Sequence, residues 1–393
     1  MAFRSVKSLL VAVFSLFSVV VSNQLIAQEL PANAGEKTEQ APKEKGKMNP
    51  GQLLMEHIMD AHEFHFLTMG EHHISIPLPV ILYSPQKGFT AFSSSNFHHG
   101  AESHNGYRLI DEAYLENLEK EQGIDVKAEA MSLGLGKIIP VTEDNKWDRT
   151  IKVYDLSMTR NVVQMLLGLV LLVWVSLAVA AKYKKNGAMK APTGMQNVME
   201  VLVTFIRDEV GRPNLGKKYE KYMPYLLTVF FFILIGNIIG LIPGTANVTG
   251  NIAFTAVLGV ISFVVIMFSS NKHYWAHIFN PPGVPLGVKF ILIPVEVLGI
   301  FTKPFALIIR LFANMVAGHM IITCLILLIF IFGGLNTAVG YGFSPVSIAF
   351  SVFIYFIEIL VAFLQAFIFT NLTAVFVGQA FEGGDHEGET LHV

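Results

Sequence analysis

The sequence predicts an all-α polytopic membrane protein carrying a small extracytoplasmic α+β region. Three observations carry that prediction. The 393 residues are 52% hydrophobic and only 15% charged, outside the range of ordinary soluble domains. About five apolar segments are each long enough to cross a ~30 Å hydrocarbon layer. A polar, histidine-rich stretch of about a hundred residues precedes them. Net charge is close to neutral at −2, so no general case for nucleic acid binding arises. The single cysteine, Cys324, falls in an apolar run. That excludes a disulfide framework and suggests a residue packed inside a membrane helix.

Residues 1–27 have the pattern of a secretory signal. Arg4 and Lys7 precede an apolar core over residues 8–21, and Ser22 and Ala27 offer small residues for cleavage. An uncleaved anchor is the alternative. Residues 28–50 are rich in Lys, Glu, Pro and Ala without apolar periodicity, the composition of a disordered linker.

Residues 51–150 form the soluble region. Alternation over 74–83, interrupted by Pro77 and Pro79, predicts short strands, and residues 111–131 predict a helix. Eight of the thirteen histidines lie between His57 and His104. His57, His62, His65, His72 and His73 are close enough in sequence to raise the question of a metal, yet none has diagnostic ligand spacing. Solvated polar residues are the competing reading, and no metal site is assigned.

The membrane domain is expected over 151–381, followed by a cytoplasmic tail over 382–393. The first span, about 157–181, ends at Lys182, Lys184 and Lys185, which places that end in the cytoplasm by the positive-inside rule. An amphipathic segment follows over 194–209, with Met195, Val198, Met199, Leu202, Phe205 and Ile206 at helical spacing. Further spans are expected at about 222–242 and 252–270, then a Pro-rich loop over 280–287. The fourth and fifth segments, about 288–335 and 345–381, are too long for upright spans. They predict either a strongly oblique helical hairpin or two kinked spans, with Gly333-Gly334 and Pro345 marking the turn. The N-terminal region then lies outside and the C-terminus in the cytoplasm.

Arg310 sits inside the fourth segment. No Asp, Glu, Lys or Arg occurs from Leu311 to Ile357. A guanidinium cannot shed its proton, and at mid-bilayer it costs at least ~2.5–3.5 kcal/mol. Control of an ion is one reason for such a charge; snorkelling to the interface is the bland one. At 100° per residue, Ala306, Arg310, Ala313, Asn314 and Ala317 share a face whose small side chains allow close approach of a partner helix. Glu296 and Lys303 stand on a related stripe, with Glu296 ~21 Å toward the cytoplasm. His319 lies on the far side of Arg310, roughly on the opposite face. Glu358 and Gln365 share a face of the fifth segment. Carboxylate and imidazole groups exchange protons near neutral pH. Two polar clusters divided by a fixed cation therefore suggest two offset half-pathways. Separately, His319 could be a hydrogen-bonded core residue and Glu358 a structural partner of Arg310.

The run Arg310-Leu311-Phe312-Ala313-Asn314-Met315-Val316-Ala317-Gly318-His319 resembles the signature of the a subunit of bacterial F-type (rotary) ATP synthases. Glu296, Lys303-Pro304, Glu358 seven residues before Gln365-Ala366-Phe367-Ile368-Phe369, and Asn237 before Gly240-Leu241-Ile242-Pro243-Gly244 fit the same pattern. The resemblance covers about 157–381. It implies a proton-conducting stator subunit in the bacterial inner membrane, beside a ring of c subunits and with b-type peripheral stalk and remaining synthase subunits as partners. Arg310 would couple rotation and block proton leak, and Glu296, His319, Glu358, Gln365, Asn314 and Asn237 would form the proton pathway. No cofactor is implied, and ATP chemistry would reside on other subunits. Some bacterial members carry Glu then His at the positions of His319 and Glu358, an exchange that supports their proximity. Proton is favoured over sodium, because no cage of hydroxyl and carboxylate ligands is visible. Two competing classes are a ring-independent transporter or channel, for which no internal repeat is seen, and a membrane scaffold whose soluble region is a binding module.

Overall fold

The computed structural model describes residues 60–69, 72–122, 134–142, 144–187, 191–242, 245–279 and 285–381. The expected signal, linker and cytoplasmic tail lie outside the described residues.

The soluble region is built from short antiparallel pairs. β1 (Glu63–Met69) pairs with β2 (His72–Pro77). β3 (Pro79–Ser84) pairs with β4 (Gly88–Ser93). β5 (Ser103–His104) and β6 (Tyr107–Leu109) form a third sheet with β7 (Ile138–Pro140), while β8 (Tyr154–Asp155) joins the edge of β3. Alternation sets the sides of β3: Val80, Leu82 and Ser84 are buried while Pro79 and Tyr83 are exposed. Val80 and Leu82 pack with Phe97, Tyr107 and Ile138. Helix α1 (Glu112–Gln122) starts where the Asp111 carboxylate accepts from the Tyr114 amide at 2.8 Å, an N-cap. Its Tyr114 and Leu118 bury against Ile110, Ile139 and Val141. The prolines divide the strands as expected. α1 is described over Glu112–Gln122 of the expected 111–131, and residues 123–133 lie outside the described ones.

The chain then runs along β3 into the membrane domain. Leu156 and Met158 amides donate to the carbonyls of Ile81 (2.9 Å) and Pro79 (3.2 Å), and the Arg160 amide donates to Ala61 (2.9 Å). Helix α2 (Arg160–Asn186) follows, ending in Lys184 and Lys185. Leu167, Val170, Trp174 and Leu177 point outward, as a lipid-facing stripe requires. Helix α3 (Met195–Phe205) passes through a π-helical turn, Ile206–Gly211, into α4 (Arg212–Leu215) and α5 (Tyr219–Gly240). Of the six expected apolar positions around α3, Ile206 is fully buried and only Met195 and Val198 stay outside the core. Met199, Leu202, Val203 and Phe205 pack into the core, whereas Met195 and Val198 are exposed. Helix α6 (Ile252–Ser269) matches its expected span, and α7 (Lys272–Phe279) lies between it and the expected Pro-rich loop, in a stretch assigned no element from sequence. The Trp275 indole, donating to the Ser270 hydroxyl at 3.0 Å and stacked on Phe279, holds that short helix.

Helices α8 (Leu286–Leu335) and α9 (Thr337–Phe381) form the hairpin, 50 and 45 residues long. At 1.5 Å per residue they measure ~75 and ~68 Å. Exposed large apolar residues run along α8 from Phe290 to Leu335 and along α9 from Val339 to Leu364. Both helices are longer than an upright crossing of a ~30 Å layer requires. Each is one unbroken helix through its prolines, so neither is split into two spans.

The turn differs from expectation. Only Asn336 separates the helices, its side chain accepting from the Ala338 amide at 2.9 Å. Gly333 and Gly334 remain helical because Gly340 crosses there: a Cβ on Gly340 would lie 2.6 Å from the Gly333 Cα. Pro345, like Pro294 and Pro304, sits inside a helix.

The main membrane core joins α5, α6, α8 and α9 through Leu226, Phe230, Ile233, Leu258, Ile266, Leu307, Leu311, Met315, Phe369 and Val377. Several buried polar groups there are paired between segments. Ala246 donates to Gln164 (2.7 Å), Tyr225 pairs with Ser262 (2.9 Å), Asn247 donates to the Met315 carbonyl (3.0 Å) and Tyr355 to that of Leu241 (3.0 Å). Cys324 lies on α8, but on its exposed side rather than packed within the chain.

Candidate functional site

Helical periodicity divides α8 into two faces. Leu307, Leu311 and Met315 are at most 2% exposed and face the core. Ala306, Arg310, Ala313, Asn314 and Ala317 are all exposed. Among the described residues none hydrogen-bonds or ion-pairs with the Arg310 side chain. Glu358 is not its partner, so the reading of a structural Arg310–Glu358 pair fails. A permanent cation thus projects from an apolar helix through a gap left by alanines. Such a group attracts an ionised carboxylate brought against this face and repels a free proton.

Glu358 lies on the other side. It is 4% exposed on α9, packed onto the backbone of α8 at Gly318. A Cβ at Gly318 would fall 2.7 Å from the Glu358 Cδ and 3.2 Å from its Cγ, so any larger residue there displaces the carboxylate from this seat. His319, the next residue, is half-buried and engaged in an interaction of its own. One turn further along α9, the fully buried Asn237 of α5 donates to the Ala362 carbonyl at 3.0 Å. Gln365, 6% exposed, completes the same face. The Glu358 Oε1 and Asn237 Oδ1 atoms are buried without a protein partner. A buried acceptor in that state calls for a proton or a water.

The other two expected residues stand apart. Asn314 shares the exposed face of Arg310 instead of the Glu358 cluster. Glu296 is exposed on α8, fourteen residues or ~21 Å before Arg310. It neighbours Tyr274 of α7, whose phenol is held above its usual pKa by burial and then by the Glu296 charge. Lys303, between them, donates to Gln379 at 3.0 Å and lies over the Phe376 ring, tying α8 to the end of α9. Acid and imidazole side chains therefore sit at two depths, with the guanidinium between and outward.

The histidine cluster has a structural use at His62. It is 6% exposed and bonded to Asp155 at 3.1 Å. Among the described residues no group of three or more His, Cys, Asp or Glu could hold a metal ion. His57 and the side chains of His65, His72 and His73 lie outside the described ones. Sequence reading missed Gly318 as the floor under Glu358, and it missed Ser347 and Ser351, which precede Glu358 on the same face of α9. Their spacing of four and seven residues was the available signal.

Residues 162–378 match the family model described as ATP synthase A chain. Residues 53–135 match a second model, described as Domain of unknown function (DUF8433). The chain is 48% identical over 244 residues to ATP synthase subunit a of Chloroherpeton thalassium, covering 61% of this chain and 71% of that one. It is 43% identical over 285 residues to ATP synthase subunit a 2 of Prosthecochloris aestuarii, covering 71% and 86%. ATP synthase subunit a of Anaeromyxobacter sp. is 39% identical over 244 residues, covering 60% and 57%. With more than half its length inside that family model, and with the buried Glu358 and outward Arg310 on its two longest helices, the chain belongs to the ATP synthase A chain family.

Proposed function

We propose that this chain is the proton-conducting stator of a bacterial F-type ATP synthase. In this reading it presents two offset half-channels to a rotating ring of c subunits, with b-type stalk subunits and the remaining synthase subunits as further partners. The N-terminal region is extracytoplasmic and the C-terminus cytoplasmic. During synthesis protons enter from outside past His319 and Glu358 and neutralise a carboxylate on a ring helix, which then faces lipid. After nearly a full rotation that carboxylate releases its proton near Glu296. Arg310 draws the ionised carboxylate to the exposed face and blocks a direct hop between pathways. Asn237, Asn314 and Gln365 position water or side chains. At ~2.3 kcal/mol per charge per 100 mV, several protons are needed for each ATP, and a ring collects them singly. Nucleotide chemistry belongs to other subunits.

The observation that carries this reading is the exposed Arg310, unpaired among the described residues, on a face of alanines within an apolar helix. The test is ATP-driven proton pumping in membrane vesicles, wild type against Arg310→Ala, with subunit assembly checked by blot. Pumping lost with assembly intact supports the stator. Unchanged pumping makes the cation structural and removes the main support. Co-purification of a small, very apolar subunit separates this reading from a ring-independent transporter.

A further inference from the structure

Hydroxyl side chains in these helices mostly satisfy themselves locally. Thr323, Thr370 and Thr373 donate to carbonyls four residues back, at 2.9, 2.8 and 2.8 Å. Ser269 does the same at 2.7 Å. Ser351 of α9 does not: its Oγ is buried and has no protein partner. Among the described residues of helices α3–α9, the other buried side-chain atoms in this state are Asn237 Oδ1 and Glu358 Oε1.

These groups follow a line. At 100° per residue Ser347, Ser351, Glu358, Ala362 and Gln365 fall within about 60° of one another on α9. Ser347 is 1% exposed and donates to the Leu325 carbonyl of α8, which fixes the hairpin register at that level. The Glu358 packing on Gly318 fixes it about three turns further on. Ser351 therefore faces α8 between those points, at the level of Thr323 and about one turn from His319. A polar track runs inside the hairpin from the turn toward Glu358, through otherwise apolar sequence. Ser351 lies ~10 Å short of Glu358 in helix rise, a gap of about two or three water diameters.

We propose that Ser351 is a positioning residue of the extracytoplasmic access path, holding the water that hands protons on to Glu358. The proposal rests on the reading that protons enter through Glu358 and His319. Its hydroxyl both donates and accepts, so it can order a water file in either direction of flow.

The test uses the assembled synthase in vesicles, in a Cys324→Ala background so that the exposed native thiol does not react. Ser351→Cys is treated from each side with a small membrane-impermeant methanethiosulfonate cation. Phe353→Cys, at the same depth on a side chain that is 60% exposed, is the control. Reaction of Ser351→Cys from the extracytoplasmic side at least tenfold faster than the control is expected, with loss of pumping on labelling. A rate no faster than the control, or reaction only from the cytoplasmic side, overturns the path. Ser351→Thr and the nearly isosteric Ser351→Val separate the hydroxyl from packing. Thr retains most of the passive proton flux, and Val loses it several-fold. Equal flux in the two overturns the positioning role. Labelling rates are read without rotation, so they stand whatever Arg310→Ala does, and the two ideas fail separately.

Discussion

Gly318→Ala offers a sharp probe of the site, because its effect can be sized from the packing. The new methyl would sit 2.7 Å from the Glu358 Cδ and 3.2 Å from its Cγ. Carbon atoms prefer ~3.5–4.0 Å, so the carboxyl group has to retreat by about 1 Å. Overpacking of this kind costs ~1–3 kcal/mol. If that strain falls on the proton-loaded geometry, flux drops by about five- to 150-fold, at ~1.4 kcal/mol per decade. The assay is passive proton flux through the membrane sector in vesicles, driven by a potassium diffusion potential, with assembly confirmed by blot. Glu358→Asp shortens the side chain by one methylene and withdraws the carboxyl from the methyl. The double variant should then conduct better than Gly318→Ala alone, a coupling of the size seen between touching residues. Wild-type flux in Gly318→Ala, or a double variant no better than the product of the singles, would refute the argument that Glu358 works from its seat on Gly318.

Further outcomes follow from other contacts. Glu358→Ala should slow proton entry and Glu358→Asp retain part of it, while His319→Glu with Glu358→His should restore more flux than either single exchange, measured in the same assay. Gly378→Ala puts a methyl against the Asn214 peptide, 3.3 Å from its carbonyl carbon. Backbone cannot yield as a side chain can, so thermal stability of the extracted complex should fall by ~1–3 kcal/mol, with little change from Gly342→Ala, where nothing lies within 4 Å. In the soluble region, burial raises the Asp155 carboxyl, and hydrogen bonds from His62 and Ser157 lower it by more. Its net pKa lies below the ordinary carboxylate value. Its stabilisation is therefore complete above that ordinary value and is lost as pH falls through the depressed one. Protease resistance of this region should weaken in acid between those limits, and Asp155→Asn should remove that step in the profile.

What was legible in the sequence follows from what periodicity encodes. The spans at α5 and α6, the polar break at Asn271, and the excess length of α8 and α9 all come from hydrophobicity counted against bilayer thickness. The end of the hairpin was not legible. Gly333-Gly334 reads as a break by propensity, yet those glycines serve the crossing with Gly340, a tertiary demand that overrides propensity. Helix α7 escaped for the same reason, being held by Trp275 and Ser270 across a boundary. The exposure of Met195 and Val198 depends on which neighbours reach the start of α3, and Met or Val suits lipid as well as core. At the site, types and spacing placed Arg310 and Glu358 on their helices. Which of the two faces inward is set by the packing of Leu307, Leu311 and Met315 and by a glycine whose role is visible only with Glu358 lying on it. A lone Ser351 carries no motif.

The exposed face around Arg310 also bears on how the cell handles the chain before assembly. An unassembled copy holds a bare guanidinium against lipid, at a cost of ~2.5–3.5 kcal/mol or more, together with a long flank of loosely packed hairpin. Its turnover should be governed by the supply of whatever covers that face. Membrane proteases would then act on orphan copies first, and depleting the covering partner should shorten the half-life of this chain without altering its synthesis.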